Sequence, residues 1–171
     1  MKFDKARLVF GLYLLVLIAA FDMAAEHFHL PTWPAFLSMI FFFVEHMDAK
    51  KVPSILAGGV FGIALILLAK PIIGVLAPIL GMGFGRLVFV LLLVYSSVSF
   101  GEMVPLLINN YAFLYLTVTG LAVTQPNPNP FLWMAMTAVG GALLIGGVMG
   151  IGKLMMAQAA AKQPAATPSQ T

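Results

Sequence analysis

Lys50-Lys-Val-Pro-Ser-Ile-Leu-Ala-Gly-Gly-Val-Phe-Gly-Ile-Ala-Leu-Ile-Leu-Leu-Ala-Lys70 is the stretch that decides the class of this chain. Eighteen residues without a charge lie between two basic boundaries. At about 1.5 Å of rise per helical residue the run covers about 27 Å, close to the ~30 Å hydrocarbon core of a bilayer. The pattern recurs along the sequence. Of 171 residues, 61% are hydrophobic and 9% charged, and the mean hydropathy is +1.03. A soluble domain of that length needs far more polar surface.

Working outward, further apolar runs occupy 8–25, 35–44, 86–100, 105–123 and 131–152. The first continues as helix to His29, where Pro31 stops it. Its basic start and Ala24-Ala25 imitate a signal peptide, but Asp22 interrupts the small-residue region, so an uncleaved first span is expected. The run 35–44 is short and reaches bilayer thickness only with its flanks. Lys70-Pro71 is read as the end of the third span. The stretch 72–85 is apolar but broken by Gly74, Pro78, Gly81, Gly83 and Gly85, and is read as re-entrant or interfacial. Gln125-Pro-Asn-Pro-Asn-Pro130 reads as an exposed tight loop.

The fold class that follows is all-α: a polytopic transmembrane helical bundle of about six spans. Its membrane domain is 1–153, and 154–171 is expected to be a polar, disordered cytoplasmic tail. The basic residues support that count. With both termini cytoplasmic, Lys2, Lys5, Arg7, Lys50, Lys51, Lys153 and Lys162 fall inside, and only Lys70 and Arg86 outside. The net charge of +3 is therefore a topology signal and no nucleic-acid footprint. Cysteine is absent, which excludes disulfides, thiol catalysis and Cys-based metal sites.

Two short echoes run through the chain. Ala35-Phe36-Leu37 returns as Ala112-Phe113-Leu114, and Gly58-Gly59 returns as Gly140-Gly141. Two halves of three spans each would be related by inverted topology, a 3+3 repeat. In so Ala-, Leu-, Phe- and Gly-rich a sequence, such matches also arise by chance.

Several polar or small residues stand out against the apolar background. Gly58 and Gly62, and Ala142, Gly146 and Gly150, recur every fourth residue and make helix-packing faces. Asp22, Glu26 and His29 fall on one helical stripe and are weak candidates for a metal or for cation attraction; the alternative places them in headgroup water. Glu45, His46 and Asp48 precede Lys50-Lys51; the cluster resembles metal-ligand chemistry in composition but reads most simply as wet-loop salt-bridge partners. Tyr95, Ser99 and Glu102 share a stripe, as do Asn110 and Thr117, with Asn109 beside them. Together with Asp22 they are the candidates for a polar path, and interhelical hydrogen bonding explains the Asn pair equally well. No Ser-His-Asp arrangement, P-loop or dinucleotide motif is present, and no cofactor is implied. The eleven Met residues suit gap-filling between helices.

Leu30-Pro-Thr-Trp33, Ala35-Phe36-Leu37, the short second span, the basic loop and the Gly-rich last span together resemble a family of small bacterial inner-membrane proteins, domain of unknown function 1097. The resemblance covers 33–153. It implies a bacterial inner membrane and five or six spans, and carries over no functional residue. The trio around Asp22 departs from it. The functional expectation is a channel or transporter for a small solute, in the lipid bilayer and as a homo-oligomer. The alternative is a non-transporting scaffold or subunit that binds a partner through its Gly-rich faces. An intramembrane enzyme or metal protein ranks third.

Overall fold

The computed structural model describes residues 5–161, and every regular element among them is helical. Six helices result: α1 Lys5–His27, α2 Trp33–Val44, α3 Val52–Leu80, α4 Met82–Phe100, α5 Asn110–Ala122 and α6 Pro130–Ala161. Four of them (α1, α3, α4 and α6) are long and apolar enough to cross a membrane. The other two have only 12 and 13 residues, about 18 and 20 Å of helix. Lys2, Lys162 and the rest of the expected tail at 162–171 lie outside the described residues.

Ring contacts fix the directions. Phe10 meets Phe43 and Phe21 meets Phe36, so α2 runs antiparallel to α1. A Cβ on Gly140 would meet Phe21 and one on Gly147 would meet Leu17, so α6 also runs antiparallel to α1. This gathers Lys5, Arg7, Lys50, Lys51 and Lys153 at one end of the bundle. At the other end Trp33 and Trp133, the chain's only two tryptophans, stack edge-on with centroids 5.6 Å apart. We call these the lysine end and the tryptophan end.

Three sequence expectations change here. The third helix does not stop at Lys70-Pro71 but runs through Pro71 and Pro78 to Leu80. Each proline removes one backbone donor, a loss tolerated in apolar bundles when neighbours shield the freed carbonyl. The stretch 72–85 is consequently no re-entrant piece. It is the end of α3 and the first turn of α4, reversed at Gly81, whose φ of 80° favours glycine. A Cβ on Gly85 would sit 3.3 Å from the Ala77 nitrogen, so the arms of this hairpin lie close. At the far end of the chain, α6 continues through 154–161, which the sequence reading assigned to the tail.

The core is built on a two-fold plan. α3 packs on α4 and α5, and α6 packs on α1 and α2, so the third helix of each half embraces the first two of the other. Equivalent positions can be picked out in both halves. Thr32 and Asn109, the N-caps of α2 and α5, stand 77 apart, as do Ser38 and Tyr115, which touch. Gly59 lies against Tyr115 while Gly141, 82 positions later, lies against Ser38. The caps Asp48 and Asn129 are 81 apart, one fewer. The π turn Met136–Gly140 between Asn129 and Gly141 absorbs the added residue. Because α2 and α5 run antiparallel, with Ser38 against Tyr115 and Glu45 against Tyr111, the halves are inverted.

Glycine makes this packing close. In lipid, helix association rests on van der Waals contact and hydrogen bonds, so backbones must approach. A Cβ on Gly62 would collide with the Ala112 carbonyl, and one on Gly58 with the Asn109 amide. Around them Phe42, Ile55, Ile63, Leu144, Ile145 and Val148 are almost fully buried.

Candidate functional site

The centre of the molecule is polar. Ser38, Tyr115, Thr119 and Thr137 have no exposed surface, although they lie on helices with apolar neighbours. Burying a hydroxyl is unfavourable unless it is hydrogen-bonded. The Tyr115 hydroxyl donates to the Pro34 carbonyl at 2.6 Å and accepts from Ser38 Oγ at 2.6 Å. The Thr137 hydroxyl donates to Trp133 O at 2.9 Å on its own helix. Among the described residues Thr119 Oγ1 has no hydrogen-bond partner. Room for the pair comes from the two repeat-related glycines: a Cβ on Gly59 would stand 2.7 Å from the Tyr115 ring, and one on Gly141 2.5 Å from Ser38 Oγ.

A cleft with polar side chains in its lining lies at each end of the bundle. At the lysine end a cleft of about 540 Å³ is lined by Glu45, Lys51, Ser54, Asn109, Asn110 and Tyr111, among others. The Tyr111 hydroxyl donates to Glu45 Oε1 at 2.5 Å, tying α5 to the end of α2. Asn109 caps α5 by accepting from Ala112 N–H at 3.0 Å. Its amide donates to the carbonyls of Ser54, Pro105 and Leu106 at 3.1–3.2 Å, which joins α3 to the α4–α5 connection. Asn110 is exposed on this cleft and on an adjoining one of about 500 Å³.

At the tryptophan end a cleft of about 390 Å³ is lined by Asp22, Glu26, His29, Leu30 and Thr32. Here the helix does not continue to His29. α1 closes with the Leu30 N–H on Ala25 O and the His29 N–H on Glu26 O, and His29 takes the left-handed φ of 52° that this closure requires. The trio shares a cleft through that turn and not through a continuous stripe. Among the described residues no three His, Asp or Glu side chains are placed to hold a metal ion.

The remaining polar-path candidates lie apart from this axis. Tyr95 is 71% exposed on α4, and Ser99 and Glu102 are exposed as well. Thr117 donates to Phe113 O at 2.9 Å on its own helix and faces an apolar cleft. Of the expected packing residues, Gly58 and Gly62 are buried in contacts. Gly146 and Gly150 have open space beside them, and Ala142 is exposed. α6 packs instead through Gly140, Gly141 and Gly147. Ala142 stands two positions, or about 200°, round the helix from Gly140 and so faces outward.

Ser38, Tyr115 and Tyr111 were absent from the sequence-based candidates, and Glu45, expected to pair with a lysine, accepts from Tyr111 instead. One signal pointed to the central pair: extending the Ala35/Ala112 echo by three residues reaches Ser38 and Tyr115. No family model matches the chain, and no curated protein or solved structure is significantly similar to it.

Proposed function

We propose that the chain is a gated membrane channel or carrier for a small polar solute, which passes between the two end clefts along the α2–α5 interface. The observation that supports this reading best is the Ser38–Tyr115 contact. It joins equivalent positions of two inverted halves, and clefts with polar lining lie at the two ends of the bundle. Inverted-repeat transporters place their sites at that interface, between short or broken helices. The hydroxyls of Ser38, Tyr115, Thr119 and Thr137 replace a solute's water, and separation of Ser38 from Tyr115 opens the way. Asp22 and Glu26 at one mouth favour neutral or cationic solutes over anions, while Glu45 and Lys51 at the other offset each other.

The setting is a bacterial inner membrane, as the resemblance to the 1097 family implies, with the lysine end and both termini cytoplasmic. The test is flux into proteoliposomes across a panel of small polar solutes, with Tyr115→Phe beside the wild type. Faster entry than into empty vesicles, altered by the substitution, supports the reading. Entry no faster than into empty vesicles for every solute refutes it.

A second reading rests on the outward stripe of Ala142, Gly146 and Gly150, which suits a partner helix or a second copy. A Cβ on Gly146 would meet nothing within 4 Å among the described residues, so Gly146→Leu should abolish such an assembly without unfolding the protein.

A further inference from the structure

The two-fold plan is broken at one place. α1 lays Phe10, Leu14, Leu17, Ile18 and Phe21 on the core, whereas among the described residues α4, its repeat counterpart, adds none. α4 touches α3 and leaves a slot of about 360 Å³ toward α5. The slot is walled by hydrocarbon from Ile66, Phe89, Leu93 and Leu116, and a Cβ on Gly120 would meet nothing within 4 Å. Its lining on α5 extends from Phe113 to Val123, about 15 Å of helix and half the ~30 Å hydrocarbon core. That is the depth of one leaflet.

The slot is apolar but its rim is cationic. Arg86 lines it, and Lys70 lines a groove of about 570 Å³ that shares Ile66, Ala69, Ile73 and Val123 with it. Among the described residues no carboxylate lines either space. One cation stands on each arm of the α3–α4 hairpin, Lys70 on α3 and Arg86 on α4, and they are the two that break the positive-inside pattern. A guanidinium beside a leaflet-deep apolar slot matches a phosphate with an acyl chain below it.

We infer that this slot binds an anionic membrane phospholipid, with one acyl chain between α4 and α5 and the phosphate on Arg86, assisted by Lys70. The lipid takes the place that α1 side chains fill in the other half. The inference stands whether or not the protein transports a solute.

The full chain, purified in mild detergent, is titrated with dioleoyl phosphatidylglycerol or dioleoyl phosphatidylcholine and read by native mass spectrometry. One phosphatidylglycerol should be retained, preferred about fivefold for each cation engaged. Arg86→Gln should cut that preference about fivefold and leave phosphatidylcholine binding as it was. Gly120→Leu fills the slot and should abolish retention of both lipids without lowering the melting temperature. Equal binding of the two lipids by the wild type overturns the inference, as does lipid retention by Gly120→Leu. So does a lipid-free dimer that Gly120→Leu dissociates, or efficient lipid-free cross-linking of cysteines at 90 and 120, which would show α4 itself closing the slot.

Discussion

Replacing Tyr115 with Phe removes one oxygen from the centre of the bundle and leaves the ring where it packs, 5.8 Å from Phe41 and over Gly59. The lost oxygen is both acceptor for Ser38 and donor to Pro34. Ser38 is not stranded, because the Pro34 carbonyl lies 3.3 Å from its hydroxyl as a second acceptor. The cost is therefore the net worth of the bonds and not the penalty of a buried orphan. Interhelical hydrogen bonds in membrane proteins average ~0.6 kcal/mol and reach ~1.7 kcal/mol. A double-mutant cycle of Tyr115→Phe and Ser38→Ala should return a coupling energy in that range. Unfolding in mixed detergent micelles measures it, with the Trp33–Trp133 pair as fluorescent reporter. If the same bond holds the closed state, its loss raises a minor open population about threefold to twentyfold, and solute flux with it. Strictly additive single variants, with a coupling of about zero, would refute the reasoning.

Three further outcomes follow from the same geometry. Gly141→Ala, whose Cβ would crowd Ser38 at 2.5 Å, should destabilise by about 1–3 kcal/mol, whereas Gly146→Ala, with open space, should be neutral or slightly stabilising in the same unfolding assay. Asn109→Ala loses a helix cap and the amide's bonds and should cost about 1–2 kcal/mol. Asn109→Asp keeps the cap but turns an acceptor toward three carbonyls, so it should melt no higher than Asn109→Ala. Glu45→Gln removes the charge that Tyr111 donates to and should lower cation-over-neutral selectivity in the flux assay, without blocking neutral solutes.

Most of the helix layout was legible because lipid imposes a simple rule: apolar runs bounded by basic residues become helices. The exceptions have physical causes. Whether Lys70-Pro71 ends a helix depends on what shields the carbonyl freed by proline, and α4, packed alongside, is a tertiary fact. Asn109 and Asn110 looked like polar residues inside a fifth span that began at Pro105. In fact 101–109 is a series of turns, and Asn109 starts the helix as its cap, a role its residue type favours. The repeat was visible as two short echoes. What the echoes could not reveal is that equivalent residues meet, since Ser38 faces Tyr115 only after the halves interlock. The inward face of α6 is hidden for a similar reason. Small residues at every fourth position mark a stripe, but neither which stripe turns inward nor the π turn before it is written in the spacing.

The absence of cysteine makes the most direct measurement clean. Single cysteines at Asp22, Ser38 and Asn110 are exposed in proteoliposomes to a small charged thiol reagent, added to one side at a time. Asp22→Cys and Asn110→Cys should react promptly from opposite sides, each from one only. Ser38→Cys should react slowly from both sides, because the gate opens rarely, and a transported solute should slow it further. A Ser38→Cys inert from both sides, while the two mouths label normally, would contradict a path through the repeat interface.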